Sequence, residues 1–266
     1  MSLLSRDLVG LTQKGVITFK GSGRGWYKLE IIMNEIKGFE RYLKLMADFA
    51  PTFLKDDVDK KLKDINYYAE QTGGEHLLFK GFTEILSSLD NLRLIEKFID
   101  CHPPSMDGIN YSNYLTYHIH NYLQEMYIMK DRLDKYMEFI NESYQEKIGK
   151  DLLESFKKNY KKIIKSTLNN ITAFKTGVRS KHVHYERFMD EELKWLSSTT
   201  FLSDFHEEFK IVSQDAYDVA KDKWHKTIFN NNEELGKLLD MYFDTIYVII
   251  TLDNQVILPT KEINAK

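Results

Sequence analysis

Two side chains in the C-terminal half of the chain have the types and the spacing to cleave RNA. Arg179 precedes His184 by five residues. Arginine carries a permanent charge on a planar fork that fits phosphate oxygens, and histidine exchanges a proton near neutral pH. Because the 2′-hydroxyl of RNA is an internal nucleophile, these two groups are sufficient to break a phosphodiester bond without a metal ion.

A reaction of this kind assigns a role to each of the two side chains. His184 would accept the proton of the 2′-hydroxyl or protonate the leaving 5′-oxygen. Arg179 would stabilise the negative charge that builds up on the phosphate. The products would be a 2′,3′-cyclic phosphate and a free 5′-hydroxyl. One histidine cannot easily make both proton transfers at once, so a homodimer that brings two motifs together is expected.

The residues around the pair also suit an RNA ligand. Cationic neighbours are expected to bind flanking phosphates, and His182 is a second candidate for proton transfer. The predicted substrate-binding set consists of side chains next to the catalytic pair: Ser180, Lys181, His182, Tyr185 and Arg187. The alternative interpretation is an ordinary turn between helices, in which the arginine caps backbone carbonyls and the histidines form local hydrogen bonds.

The segment that leads into this motif is strongly basic. Residues 147–187 hold eleven lysines and arginines against three acids, a formal charge of +8. The whole chain has a formal charge of −3, so the remaining residues together carry −11. A basic strip that runs into a phosphate-binding motif is typical of a surface for a polyanion such as RNA. A solvated helix face is the alternative, because charge runs also produce one.

Apolar residues recur every three or four positions along most of the chain, which indicates amphipathic helices. The four prolines lie in breaks between these runs. The predicted fold class is therefore all-α, an extended antiparallel bundle of about seven to eight helices. The predicted helices cover residues 26–49, 52–70, 75–100, 109–146, 150–178, 185–197, 204–229 and 232–253.

The rest of the chain gives little sign of a division into domains. Short apolar runs at 16–19 and 255–258 are expected to pair as a small two-stranded patch that joins the termini. No repeat, low-complexity tract or Gly/Ser-rich linker interrupts the sequence. We therefore predict a single helical domain over 1–266, with an irregular segment over 1–25.

Composition limits the compartment and the cofactors. Cys101 is the single cysteine, so a disulfide framework is excluded and a reducing cytoplasm is expected. No apolar run approaches the ~18 residues that cross a bilayer, so no membrane association is expected. No cofactor and no metal ion are predicted either. His118 and His120 fall in one predicted helix, where residues two apart point about 200° away from each other.

The helix predicted over 109–146 is rich in tyrosine and in regularly spaced apolar residues. Four of its tyrosines suit either stacking on unpaired RNA bases or core packing: Tyr111, Tyr114, Tyr117 and Tyr122. Its apolar residues form a seam with alternating spacings of four and three, typical of antiparallel helix packing or of a dimer face. The seam comprises Leu115, Ile119, Tyr122, Met126, Met129, Leu133, Met137 and Ile140.

The pair of Arg179 and His184 between two predicted helices resembles the motif of the HEPN superfamily, an arginine and a histidine separated by four to six residues. HEPN domains are all-helical, and many are metal-independent endoribonucleases that act as dimers, often as toxins or antiviral effectors. The resemblance extends over about 75–252 and implies an RNA substrate and an antitoxin partner, in a bacterial-type branch. Ser180 stands where the family commonly has Asn, Asp or His, and Glu186 where one toxin branch has a tyrosine.

Two other functions are compatible with the sequence. Some HEPN proteins have lost catalysis, so the alternative is a non-catalytic module of the same fold that binds RNA, a nucleotide or a protein. A helical scaffold without a nucleic-acid ligand is the third candidate. Cleavage of RNA in EDTA would indicate the first function, and salt-sensitive binding without cleavage would indicate the second.

Overall fold

The computed structural model describes residues 7–11, 17–20, 27–29, 37–64, 73–104, 108–171 and 188–258. The α-helices within these ranges are α1 (Gly38–Phe49), α2 (Pro51–Lys63), α3 (Gly74–Asp100), α4 (Tyr111–Ile148), α5 (Lys150–Asn170), α6 (Glu191–Ser203) and α7 (Phe209–Ile250). The strands there are β1 (Asp7–Leu11), β2 (Ile17–Lys20), β3 (Tyr27–Leu29), β4 (Thr251–Leu252) and β5 (Gln255–Val256). The prediction of an all-α fold is confirmed.

The long central helices are the elements that the sequence predicts best. Both α3 and α4 begin and end within two residues of their predicted limits. Every residue of the predicted seam on α4 is at most 2% exposed, so the seam packs within the chain and is not a dimer face. Among the described residues, no helix combines the length and the apolar character that crossing a membrane requires.

The two helices predicted over 204–229 and 232–253 are one continuous helix, α7. Asn232 is the first residue of the second predicted helix, and asparagine favours helix starts. Its side chain instead accepts a hydrogen bond from the Tyr122 hydroxyl (3.2 Å) and donates one to a carboxylate oxygen of Glu96 (2.5 Å). Tertiary partners thus hold this asparagine in a helix interior.

Other helix limits also differ from the predictions. Helix α5 spans Lys150–Asn170, and residues 172–178 of the predicted helix lie outside the described residues. Helix α6 begins at Glu191, so the described residues 188–190 of the helix predicted over 185–197 are not helical. Ser203 directly precedes the helix predicted over 204–229, and serine favours helix starts. It is instead the last residue of α6, and its hydroxyl donates to the carbonyl of Thr200 (2.7 Å). Phe205, inside the helix predicted over 204–229, lies in the turn between α6 and α7, and its side chain is 69% exposed.

The predicted pairing of 16–19 with 255–258 is wrong, because both segments pair locally. Strand β2 is the centre of an antiparallel sheet with β1, inside the segment expected to be irregular, and with β3, just after that segment, so both of its edges are occupied. Strand β3 takes residues 27–29, at the start of the helix predicted over 26–49. Strands β4 and β5 form a hairpin whose turn residues, Asp253 and Asn254, have positive φ angles of 51° and 61°. Such angles are typical of a tight hairpin turn.

The chain divides into two compact units. The first consists of residues 1–83, 134–164 and 237–266, and the second of 84–133 and 165–236. Each unit has fully buried apolar side chains: Tyr42, Met46, Leu78 and Phe243 in the first, and Leu92, Ile99, Leu115 and Ile119 in the second. The single domain over 1–266 stays a prediction.

In the first unit, α1 approaches α7 closely at Gly38. A Cβ atom at this position would collide with the backbone carbonyl oxygen of Asp240 and with the carboxylate of Asp244. The backbone N–H of Phe39 donates to Asp240 Oδ1 (3.2 Å), and Arg41 Nη2 donates to Asp244 Oδ1 (2.5 Å). Burial raises the pKa of Asp244, and the Arg41 charge opposes that shift. The absence of a side chain at Gly38 therefore lets these polar contacts form.

We expect Gly38→Ala to lower the free energy of unfolding by about 1–3 kcal/mol, because the added methyl group would force α1 away from α7. Gly236→Ala is the matched control within α7, since a Cβ atom there has no neighbour within 4 Å. That control is expected to raise the free energy of unfolding by about 0.5–1 kcal/mol through helix propensity. Urea unfolding followed by circular dichroism measures both changes. Equal stabilisation by the two substitutions would contradict the close approach.

Candidate functional site

All of the predicted catalytic and substrate-binding residues, from Arg179 to Arg187, lie outside the described residues. The nearest described residues on either side are Ile171, which is fully buried, and Phe188. What the structure does describe is how the chain is held on each side of the motif segment, together with the surfaces near those points.

On the C-terminal side, the chain is attached to α4 immediately after the motif segment. His120 Nε2 donates a hydrogen bond to the backbone carbonyl oxygen of Phe188 (2.7 Å). This bond requires a proton on Nε2, since a carbonyl oxygen only accepts. The Phe188 ring also packs edge-on against Trp224 of α7, with ring centroids 5.8 Å apart. Phe188 is thus fixed both through its backbone and through its side chain.

Two residues further on, Asp190 joins α6 to α7. Its Oδ1 accepts the backbone N–H of Leu193 (2.9 Å), the hydrogen bond of a helix N-cap. Its Oδ2 accepts from the indole N–H of Trp224 (2.9 Å) and from the ammonium group of Lys223 (3.1 Å). Lys223 also pairs with Glu192, and its hydrogen bond to that carboxylate lowers the pKa of Glu192. We call Phe188 and Asp190, with their partners His120, Lys223 and Trp224, the anchor.

On the N-terminal side, α5 separates its charges from its apolar residues as predicted. Its buried face carries Leu153, Phe156, Tyr160 and Ile164. Three of its lysines are exposed to solvent: Lys158, Lys161 and Lys162. The helix that precedes the motif segment in the sequence therefore presents cations on its solvent face.

A groove of about 330 Å³ lies between α3 and α4 in the second unit. Its α3 side presents positions 91, 94, 95 and 98, and its α4 side presents positions 117, 121, 124 and 128. Both sets follow the spacing of one helix face. The lining side chains are aliphatic, aromatic or carboxamide, with His118 and Glu125 as the ionisable groups besides the phenol of Tyr117.

His118 is part of an aromatic cluster at one end of this groove. Its ring stacks on Phe98 with an interplanar angle of 23° and a centroid distance of 5.2 Å. Tyr114 and Tyr117 contact it edge-on. Burial lowers the pKa of His118, which favours the neutral imidazole. His118 and His120 therefore have different partners, and the described residues contain no group of three potential metal ligands.

The four tyrosines that the sequence singles out have different environments. Tyr122 is buried and bonded to Asn232, and the hydroxyl of Tyr114 donates to the carbonyl of Phe98 (2.7 Å). Tyr111 packs on Tyr217, with ring centroids 4.7 Å apart. Tyr117 is 62% exposed and lines the groove. Of these four, Tyr117 is the one whose ring is open to a ligand.

A second cavity, of about 390 Å³, lies between α6 and α7 around Trp195. Its apolar lining includes Val212 and Val219, and its polar lining is acidic: Glu191, Glu192 and Asp215. Carboxylates repel a phosphate backbone. This cavity is therefore a poor surface for RNA.

Sequence reasoning missed both the anchor and the groove. Asp190 falls in the interior of the helix predicted over 185–197, although an aspartate directly before two glutamates and an apolar run is a typical N-cap. The groove had a weaker signal in the sequence. Asn91, Asn121 and Gln124 are carboxamides at helix-face positions, but their meeting across two helices depends on packing.

Asp190→Ala is expected to lower the free energy of unfolding by about 2–3 kcal/mol, because it removes the N-cap and leaves the Trp224 N–H without its acceptor. Asp190→Asn keeps one acceptor oxygen, so about half of that loss is expected. Glu191→Gln, at an exposed position of the same helical turn, is the control and is expected to change stability by less than about 0.5 kcal/mol. Thermal melting measures all three. An equal loss of stability for all three variants would contradict the role assigned to Asp190 in the anchor.

Comparison with known proteins assigns no family to this chain. No family model matches the sequence, and neither a curated protein nor a solved structure does so. The assignment of a function therefore depends on the residues described above and on the motif.

Proposed function

We propose that this protein is a metal-independent endoribonuclease of the HEPN type. The observation that carries the proposal is the arginine–histidine motif at 179–184, which falls in the sequence between the basic helix α5 and the capped start of α6 in an all-α chain. The proposed RNA substrate supplies its own nucleophile. A toxin or defence role in the cytoplasm, with an antitoxin partner, is what the HEPN resemblance adds to this proposal.

The proposed reaction is a transesterification within RNA. The 2′-oxygen attacks the adjacent phosphorus, the bond from phosphorus to the 5′-oxygen breaks, and a 2′,3′-cyclic phosphate and a 5′-hydroxyl form. His184 accepts the 2′-hydroxyl proton or supplies the proton that the leaving oxygen takes up. Arg179 donates hydrogen bonds to the phosphate oxygens and stabilises their added charge. Lys181 and Arg187 bind the neighbouring phosphates, and Ser180, His182 and Tyr185 complete the substrate contacts.

Two features of the described residues support this proposal. The exposed lysines of α5 are suited to the phosphate backbone, and their interaction with it releases counterions. The anchor fixes the backbone directly after Arg187 through the bond from His120 to Phe188. Catalytic groups need a rigid support, because small displacements from the productive geometry cost large factors in rate.

A second protomer is part of the proposal, because two proton transfers need two groups. In a two-fold dimer, each surface patch meets its own copy, so two His184 side chains can approach one another around the axis. One imidazole would then act as the base and the other as the acid. An ordinary helical scaffold has no such requirement.

Arg179→Ala and His184→Ala are each expected to reduce cleavage of single-stranded RNA by at least about a hundredfold, because each removes one catalytic contribution. The assay contains EDTA and identifies the 2′,3′-cyclic phosphate. His206→Ala, in the exposed turn between α6 and α7, is the control and should retain full activity. Circular dichroism confirms that the variants fold. Activity that survives both alanine substitutions would overturn the proposal.

The non-catalytic alternative has a different signature in the same samples. It gives RNA binding that weakens steeply with salt, and no cleavage product at any enzyme concentration. A scaffold gives neither binding nor cleavage.

Sedimentation is expected to give a particle of twice the 31.5 kDa chain mass for the wild type and for His184→Ala alike. Adding an excess of His184→Ala to the wild-type protein should then lower the cleavage rate, because mixed dimers have one imidazole in place of two. Adding His206→Ala in the same excess should leave the rate per active site unchanged. A monomer with full activity would contradict the shared site.

A further inference from the structure

We propose that the groove between α3 and α4 binds an unpaired nucleobase. This inference rests on the proposed function for its biological meaning, since the base would belong to the RNA substrate. The binding itself depends only on side chains that the structure describes, and it is measurable without any cleavage.

The groove has flat apolar walls and is large enough for a small ligand. Its volume of about 330 Å³ lies at the lower end of the range for small-molecule pockets. The Tyr117 ring is 62% exposed, and Leu94 and Phe98 beside it are 49% and 42% exposed. Phe98 is itself stacked on His118, which holds both rings in place. Exposed aromatic rings are the surfaces on which proteins stack unpaired bases.

The polar part of the groove matches the edge of a base. Asn91, Asn121 and Gln124 line it, and each carboxamide has both a donor and an acceptor. Nucleobases present donors and acceptors side by side in the same way. An apolar helix of a partner protein would bury these three amides against its hydrocarbon side chains. The amides would then lose their hydrogen bonds to water, which costs free energy. The lining therefore favours a base over an apolar peptide.

The charge of the groove argues against a phosphate as its ligand. The ten described residues that line it include no lysine or arginine. Glu125 is the one carboxylate among them, and Ser88 donates to its Oε1 (2.6 Å) while Asn91 donates to its Oε2 (3.3 Å). Arg132 lies 3.8 Å from the same carboxylate. Because internal partners already hold this negative charge, the groove presents neutral polar groups to a ligand.

The groove also lies beside the anchor on the surface of α4. Tyr117 precedes His120 by three residues and Gln124 follows it by four, spacings that bring Cβ atoms to about 5–6 Å on a helix. His120 is the residue that holds the carbonyl of Phe188. A base in the groove would therefore lie next to Phe188, the residue that follows the motif segment.

The test is a titration of the full-length protein with adenosine, guanosine, cytidine and uridine, which carry no phosphate. The His118 ring signals are followed by NMR after assignment with His118→Gln. We expect saturable shifts with the purine nucleosides at least, since they have the largest stacking surface. Tyr117→Ala is expected to weaken this binding about tenfold, and Tyr117→Phe to preserve it. Phe201→Ala, which removes an equally exposed ring (63%) from α6, should have no effect.

Two outcomes would overturn the inference. One is the absence of any His118 shift with all four nucleosides up to their solubility limits. The other is binding that Tyr117→Ala leaves unchanged, which would place the nucleoside elsewhere. Because the groove lies away from the proposed catalytic pair in the sequence, His184→Ala is expected to bind the nucleosides as the wild type does. For the wild-type protein, nucleoside binding without RNA cleavage would contradict the nuclease and support the groove, and cleavage without nucleoside binding would do the reverse.

Discussion

The carboxylate of Asp190 is the constraint on which the described surroundings of the motif depend. One oxygen satisfies a backbone N–H at the start of α6, and the other accepts from an indole and an ammonium group on α7. A carboxylate is the one common side chain with acceptors enough for this set. Because its side chain is only 16% exposed, the bonds from Leu193 and Trp224 are little weakened by water, whereas Lys223 is itself 43% exposed. The chain that follows the motif segment thus begins from a fixed point.

How much of the fold the sequence predicts depends on whether local or distant partners decide each element. Helices α3 and α4 are predictable because their ends carry prolines or glycines and their apolar residues repeat without interruption. The start of a new helix at Asn232 is a reasonable expectation from local preference. It is wrong because Tyr122 and Glu96, more than a hundred residues away in the sequence, supply the partners for this side chain. The helix propensity of neighbouring residues does not report such distant hydrogen-bond partners.

The candidate sites divide in the same way. Arg179 and His184 are recognisable because their chemistry resides in residue type and spacing, both of which are printed in the sequence. The groove has no such signature, since its amides come from two helices and acquire meaning only when those helices pack. The tyrosines of α4 show the difference most directly. In the sequence, all four tyrosines suit either base stacking or core packing. In the structure, Tyr122 is buried in the core and Tyr117 lies on the solvent-facing wall of the groove.

The two kinds of surface would contribute differently to RNA recognition. Contacts from lysines to phosphates are independent of base identity and weaken with salt. A neutral groove with amides and aromatic rings reads a base by stacking and by hydrogen bonds, which salt screens little. On the proposed function, the cations of α5 would therefore supply attraction to any RNA, and the α3–α4 groove would supply the preference among sequences. A nuclease built in this way needs both, because attraction alone leaves the position of the cleaved bond undetermined.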